Sequence, residues 1–305
     1  MIVKKRKKWP WVLSILGIGL IGLLIYGISI YTNFTKTIDE IHEPIDRVVS
    51  EKREEPVSFT KQEPFSVLIL GVDEREGDKG RSDTMIVLTI NPTTKSTKML
   101  SIPRDTYTDI IGKGFSDKIN HAYAFGGIEM SMDSVEHLLD LPIDYIVQVN
   151  MESFKDIVDA VGGIQLNNPL DFQSGNKKFN KGVISLSGEE ALTYIRMRYE
   201  DPRGDFGRQD RQKLVVQAIL QEGASLNSLL NYKSIFEAIG KNVRTNMDFD
   251  EMMDVQKNYK DAIGTVDQLF FEKGHGNKMN GIWYYMMNED ELEQIQNELK
   301  EHLEL

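Results

Sequence analysis

An uncharged run from Trp9 to Thr32, directly behind Lys4, Lys5, Arg6, Lys7 and Lys8, limits what this chain can fold into more than any other feature. A helix needs about 20 residues to cross a ~30 Å hydrocarbon core, and the run is long enough. Cations beside a span stay on the cytoplasmic side, so the rest of the chain is expected outside. A cleaved signal peptide is the rival reading, but its apolar part is usually ~7–15 residues long, and no clear small-residue cleavage site follows Tyr31. The expected organisation is a cytoplasmic basic tail (1–8), a transmembrane signal anchor (9–32), a polar extracytoplasmic stalk (33–63) with one short helix over 34–49, and one domain (64–305) of ordinary size. This describes a single-pass type II protein of the cell membrane.

The chain has a net charge of -11 and no cysteine. Nonspecific nucleic-acid binding relies on broad phosphate neutralisation, so an acidic domain excludes it. Without cysteine there are no disulfides and no thiolate metal sites, and an exported domain must rely on its core. Against this acidic background, Arg196, Arg198, Arg203, Arg208 and Arg211 fall between residues 196 and 212 with no lysine among them, although lysines outnumber arginines 24 to 12 overall. A solvated basic surface would mix both cations. The rigid guanidinium fork matches pairs of phosphate oxygens, so the cluster points to a phosphate-bearing ligand.

Three short apolar runs, Phe65–Gly71, Thr84–Ile90 and Lys98–Pro103, read as strands. Asn91-Pro92-Thr93-Thr94-Lys95 is a turn between the last two, and the simplest path is an antiparallel meander. That path carries Asp73, Asp83 and Arg104 to one edge of the sheet, with Arg75 and Arg81 in the loop between the aspartates. Two carboxylates meeting arginines suit magnesium (or manganese) held together with substrate phosphate, because such ions take one or two carboxylates and complete their shell from phosphate. The plainer alternative is that Asp73 and Asp83 are loop residues paired with Arg75 and Arg81.

Ser187-Gly188-Glu189-Glu190 is a capping box that starts a helix ending near Arg196 and Arg198. A second helix over Leu214, Val215, Ala218 and Ile219 is expected to follow a Gly204–Gly207 loop, with Arg208, Arg211 and Gln212 in its opening turns. Cations there need an anion, either a bound phosphate or the local Asp205 and Asp210. The histidines lack zinc-ligand spacing, and His121 reads as structural. Beyond Met247 the chain reads as acidic and helical, with Trp283, Tyr284 and Tyr285 as packing aromatics.

Several motifs occur together in consistent order. They are Leu-Gly-Val-Asp (70–73), Arg-Ser-Asp-Thr-Met (81–85), Ser-Ile-Pro-Arg-Asp (101–105), Lys-Ile-Asn-His-Ala-Tyr (118–123), Gly126-Gly127, Val161-Gly162-Gly163, Ala-Leu-Thr-Tyr-Ile-Arg-Met-Arg (191–198) and Gly-Arg-Gln-Asp-Arg-Gln (207–212). With them the chain resembles the LytR–CpsA–Psr (LCP) family over residues 64–220, and most of all its membrane-anchored teichoic acid transferases. The resemblance implies an α/β fold: one LCP-type domain with a central, largely antiparallel sheet between helices, holding a polyprenyl diphosphate in an apolar tunnel. It implies transfer of a phosphoglycosyl polymer from undecaprenyl diphosphate to the C6 hydroxyl of N-acetylmuramic acid in peptidoglycan. Carried onto this sequence, Asp73 and Asp83 hold magnesium and Arg104 joins them in catalysis. Arg75, Arg81, Arg104, Arg198 and Arg208 grip the diphosphate, and Arg196, Arg211 and Gln212 complete the shell. Two alternatives use the same residues: a polyprenyl diphosphate hydrolase, and a non-enzymatic wall-binding or regulatory module that needs no metal.

Overall fold

A computed structural model describes residues 9–45, 49–73, 80–151, 154–198, 200–223, 232–263 and 266–305, with 9–23, 205, 220, 223 and 263 as backbone only. In chain order, helix α1 (Trp9–Ile41) leads to strands β1 (Phe65–Val72), β2 (Ser82–Asn91), β3 (Ser96–Ser101), β4 (Tyr107–Ile110) and β5 (Phe115–Lys118). Helix α2 (His121–Leu139), β6 (Tyr145–Asn150) and α3 (Phe154–Ala160) follow. Strands β7 (Ile164–Asn168), β8 (Phe172–Ser174), β9 (Lys177–Phe179) and β10 (Gly182–Leu186) then precede α4 (Gly188–Arg196) and α5 (Asp205–Gly223). The remainder is α6 (Tyr232–Asn242), β11 (Val243–Thr245), α7 (Phe249–Asn258), α8 (Lys260–Ile263), β12 (Val266–Leu269), the hairpin β13 (His275–Met279) and β14 (Ile282–Met286), and α9 (Glu289–His302).

The meander forms as the apolar runs demand. β1 pairs antiparallel with β2, and β2 with β3. Asn91 closes the second hairpin by accepting the backbone N–H of Thr93 and Thr94 at 2.8 and 3.0 Å, an Asx turn, while Lys95 takes a positive φ of 53°. The full sheet has six strands in the order β11-β6-β1-β2-β3-β12. It is mixed rather than largely antiparallel, because β6 joins β1 in parallel and β12 joins β3 in parallel. Parallel neighbours arrive through long crossovers, which local patterning does not reveal.

Residues paired across strands share a face. Leu68, Leu70, Val72, Met85, Val87 and Leu100 pack against Met132, Val135 and Leu139 of α2 and against Ile295, Leu299 and Leu303 at the C-terminus. The other face carries two further clusters. One end carries Phe59, Phe65, Val67, Ile90, Tyr145 and Tyr259, and a separate core beyond the other end is built from α3, α4, α5 and β7 to β10. The C-terminal segment, expected to be helical, forms α7, α8 and α9 and also supplies β12, the β13–β14 hairpin and Phe271 of the main core.

The segment 33–63, expected as a stalk, lies against the domain. Its polar composition hides an apolar stripe, Phe34, Ile38 and Ile41, at helical spacing. Ile38 and Ile41 are buried, and the Phe34 ring meets those of Phe236 and Phe249 at 5.4 and 5.6 Å. The helix expected over 34–49 is the end of α1, whose backbone is helical from Trp9 onward. Farther on, Arg53 grips Asp144 with both ends of its fork, at 2.6 and 3.0 Å, and donates to the Pro64 carbonyl at 2.9 Å. The basic tail 1–8 and the side chains of 9–23 lie outside the described residues. Among those that are described, no helix is long and apolar enough to cross a membrane.

Arg53→Met strips a buried Asp144 of its cation and is expected to cost about 3 kcal/mol. Urea unfolding followed by circular dichroism reads this as a lower midpoint. An unchanged midpoint contradicts docking of this segment on the domain.

Candidate active site

The register that sets Gly71 opposite Thr84 and Val72 opposite Ser82 places Asp73 and Asp83 at the same end of neighbouring strands. The Asp73 N–H donates to the Arg81 carbonyl at 3.3 Å, which ties the two strand ends together. Asp83 is the second residue of β2, because that strand begins at Ser82 rather than Thr84. Arg104 follows β3 and its Nη1 lies 2.9 Å from Asp83 Oδ1. The Asn120 amide, at the N-cap of α2, reaches the same oxygen at 3.4 Å. Behind Arg104, Asp105 takes Lys118 Nζ at 2.7 Å and lies 3.7 Å from Arg104 Nε. The meander thus brings together the three residues that its path implied.

Two later helices complete the edge. Ser187 and Glu190 form the expected reciprocal cap of α4, whose last residue, Arg196, holds Nη2 3.9 Å from Asp73 Oδ1. Arg198 is half-buried just beyond the helix. Arg208 Nη2 reaches across to the Asp83 carbonyl at 3.4 Å. Gln212 is buried one turn after Arg208 on α5. Arg81 is exposed at the start of β2, and Arg75 lies outside the described residues.

Arg211 does not join this edge. Its side chain is 3% exposed and turned inward, bonded to Asp201, to the Tyr194 carbonyl at 3.2 Å and to the Met197 carbonyl at 2.5 Å. Arg203 pairs with Asp210 at 2.6 Å. Local pairing therefore accounts for two of the five clustered arginines. The Gly204–Gly207 stretch, expected as a loop, is helical from Asp205. Gly207 is there for close approach: a Cβ would meet Asp201 Oδ2 at 1.8 Å, in the space that the buried ion pair occupies.

Several parts of the site carry no motif signal. On the face shared by Gly71 and Thr84, Ile69, Leu88, Val147 and Val149 are only half-buried, although they lie on central strands. Their counterparts on the opposite face, such as Leu68, Leu70 and Val87, are fully buried. The result is an apolar floor, with Ile69, Leu88 and Val147 packed in part against the Phe59 cluster and Val149 against the α3–α5 core, that ends at the carboxylates. Gly71 belongs to that floor, since a Cβ there would strike Met151 Sδ at 2.7 Å and Thr84 Cβ at 2.9 Å. Near its polar end, the buried hydroxyls of Thr84 and Ser101 and the amide oxygen of Asn120 lack a hydrogen-bond partner among the described residues. Buried polar atoms are seldom left so, and these are placed to meet a polar ligand. Lys213 is also buried. Its ammonium lies 3.4 Å from Asp210 Oδ1 and 3.7 Å from the Phe270 ring centroid, and burial pushes its pKa down while Asp210 works against that shift.

No group of three or more His, Cys, Asp or Glu placed to hold a metal occurs among the described residues. A donor set of two carboxylates suits an ion that completes its shell from a substrate phosphate and water, which is how magnesium is commonly held. Asp73 and Asp83 fit that description.

Comparison with known proteins agrees with this geometry. A family model described as the LytR_cpsA_psr family matches residues 28–301. The polyisoprenyl-teichoic acid–peptidoglycan teichoic acid transferase TagU of Bacillus cereus is 52% identical over 302 residues, covering 99% of each chain. The crystal structure of B. subtilis TagU is 51% identical, with a TM-score of 0.66 over 80% of this chain and 98% of that one. The LytR-CPS2A-psr family protein YwtF (TagT) with bound octaprenyl pyrophosphate lipid is 29% identical, with a TM-score of 0.70 over 87% of this chain and 100% of that one.

Arg211→Leu is expected to cost about 3–5 kcal/mol because it leaves Asp201 buried and unpaired. Arg203→Ala, which removes a pair whose arginine is 58% exposed, should cost about 0–1 kcal/mol. Thermal unfolding of the two variants checks this. An Arg211→Leu variant as stable as the parent, yet inactive, would return Arg211 to the anion-binding shell.

Proposed function

The chain belongs to the LytR_cpsA_psr family, and from that premise we propose that it transfers a phosphoglycosyl polymer from undecaprenyl diphosphate to the C6 hydroxyl of N-acetylmuramic acid in peptidoglycan. The observation that carries the reading is the meeting of Asp73, Asp83, Arg104 and Arg208 at the end of a half-buried apolar floor. A prenyl diphosphate has the same two-part character, an apolar chain and a compact polyanionic head. The chain would lie along Ile69, Leu88 and Val147, with the head among the arginines and the hydroxyls of Thr84 and Ser101.

In this reaction the acceptor hydroxyl attacks the sugar-linked phosphorus. A new P–O bond forms, the bond to the bridging oxygen breaks, and undecaprenyl phosphate leaves with that oxygen. The donor is already a diphosphate, so no further energy source is required. Phosphoryl transfer depends mainly on positioning and on charge stabilisation rather than covalent help. Arg104, anchored by Asp83 and backed by Asp105, presents a fixed fork to the phosphate oxygens. Arg208 approaches from α5, and Arg196 and Arg198 flank it from the end of α4. Magnesium bound by Asp73 and Asp83 would neutralise charge on the diphosphate.

The anchor belongs to the same reading. A type II span over 9–32 would tether the domain to the outer surface of the membrane that carries its lipid donor, and confinement raises the effective concentration of one for the other.

Arg104→Ala should lower the rate of transfer by about 10²–10³, corresponding to ~3–4 kcal/mol of lost transition-state stabilisation. Arg104→Lys should fail as well, since an ammonium cannot reproduce the fork. Transfer within threefold of the parent would overturn the role given to Arg104. Asp73→Asn and Asp83→Asn should each weaken magnesium binding, read by calorimetry and by the metal concentration that half-saturates activity. Either variant with an unaltered metal titration would remove that carboxylate from the metal site.

A further inference from the structure

The β13–β14 hairpin takes no part in the chemistry above, yet it is fastened to the loop that carries Arg104. The Tyr285 N–H donates to the Asp105 carbonyl at 2.8 Å, and Thr106 forms a parallel bridge with Tyr285. The Tyr107 and Tyr284 rings meet edge to face at 5.2 Å, and the Tyr284 hydroxyl reaches Asp117 at 3.2 Å. A surface feature on this hairpin therefore keeps a fixed position relative to the phosphate-binding edge.

The hairpin presents aromatic rings over bare backbone. Pairing sets Gly276 opposite Tyr285 and Lys278 opposite Trp283, so all four share a face. A Cβ built at Gly276 would meet three atoms of the Trp283 indole at 2.6–3.0 Å, so the indole rests against the glycine. Trp283 nevertheless stays 41% exposed. Next to it, the ring of buried Tyr285 meets Phe206 at 5.7 Å, and Phe206 is 37% exposed. Phe206 stands two residues before Arg208, whose guanidinium reaches the Asp83 carbonyl. The aromatic surface thus runs from Trp283 to the border of the diphosphate site. Core packing does not account for an indole held against the hairpin with 41% of its surface in water.

We propose that Trp283, with Phe206 beside it, is the acceptor subsite: a platform on which a pyranose ring of an amino-sugar glycan strand stacks while its hydroxyl meets the phosphorus. This rests on the transferase reading above. The axial C–H bonds on one side of a pyranose carry partial positive charge and match the negative face of an aromatic ring. Lys278 shares the indole's face and is exposed, and its ammonium can bond sugar hydroxyl and acetamido oxygens.

The test uses the full chain in detergent, a prenyl diphosphate-linked donor, and soluble oligomers of alternating N-acetylglucosamine and N-acetylmuramic acid as the acceptor probe. Trp283→Ala should raise the KM for the oligomer about tenfold, in line with loss of a stacked ring, while the KM for the donor stays within twofold. Trp283→Tyr should restore most of the loss. Gly276→Val, which displaces the indole without removing it, should reproduce the Trp283→Ala result. An oligomer KM within twofold of the parent in both Trp283→Ala and Gly276→Val overturns the platform. So does a pattern in which these variants lose only binding to vesicles of anionic phospholipid, which would make the surface a membrane contact. If the parent chain itself transfers no polymer, the transferase reading falls; if it does and the variants match it, the platform alone falls.

Discussion

The site depends on a single backbone register, the antiparallel pairing of β1 and β2 that sets Gly71 against Thr84. Because side chains alternate along a strand, a slip of one residue would turn the apolar residues of β1 to the wrong side. It would also part Asp73 from Asp83. Burial on both faces enforces the register: Leu68, Leu70 and Val72 fill the main core on one side, while Phe65 and Val67 anchor an aromatic cluster on the other. The proposed metal and phosphate site would thereby stand on rigid strand ends, with Arg196 of α4 and Arg208 of α5 beside it.

The two faces of the sheet are used differently. One is sealed by α2 and α9, which makes the sheet a stable platform. The other buries Ile86 but leaves Ile69, Leu88, Val147 and Val149 half-buried. The apolar area such half-buried residues leave in water costs roughly 25 cal/mol per Å² unless something apolar covers it. A prenyl chain is such a cover. In the proposed function the half-buried face and the charged edge serve one ligand, the first meeting its prenyl chain and the second its diphosphate.

The parts legible in the sequence were those set by local chemistry. The meander followed from apolar runs and an Asx turn, the start of α4 from its capping box, and the convergence of Asp73, Asp83 and Arg104 from the path between them. The parts that were not legible depend on tertiary partners. Phe34, Ile38 and Ile41 sit in a polar stretch, and only their docking against α6 and α7 shows the segment to be part of the domain. Arg211 matched a phosphate-binding pattern, but Asp201, ten residues earlier, lay close enough to claim it once Gly207 let the backbone approach. β12 is four residues long and joins the sheet in parallel, so it had no pattern to announce it.

The central claim is that one ligand occupies the apolar floor and the arginine edge at once. A crystal structure of the protein with a polyprenyl diphosphate tests this most directly. The account requires the diphosphate within hydrogen-bond distance of Arg104 and Arg208, and the prenyl chain against Ile69, Leu88 and Val147. A diphosphate bound instead in the polar cavity of about 430 Å³ lined by Lys241 and Arg244, with the floor left bare, would contradict it.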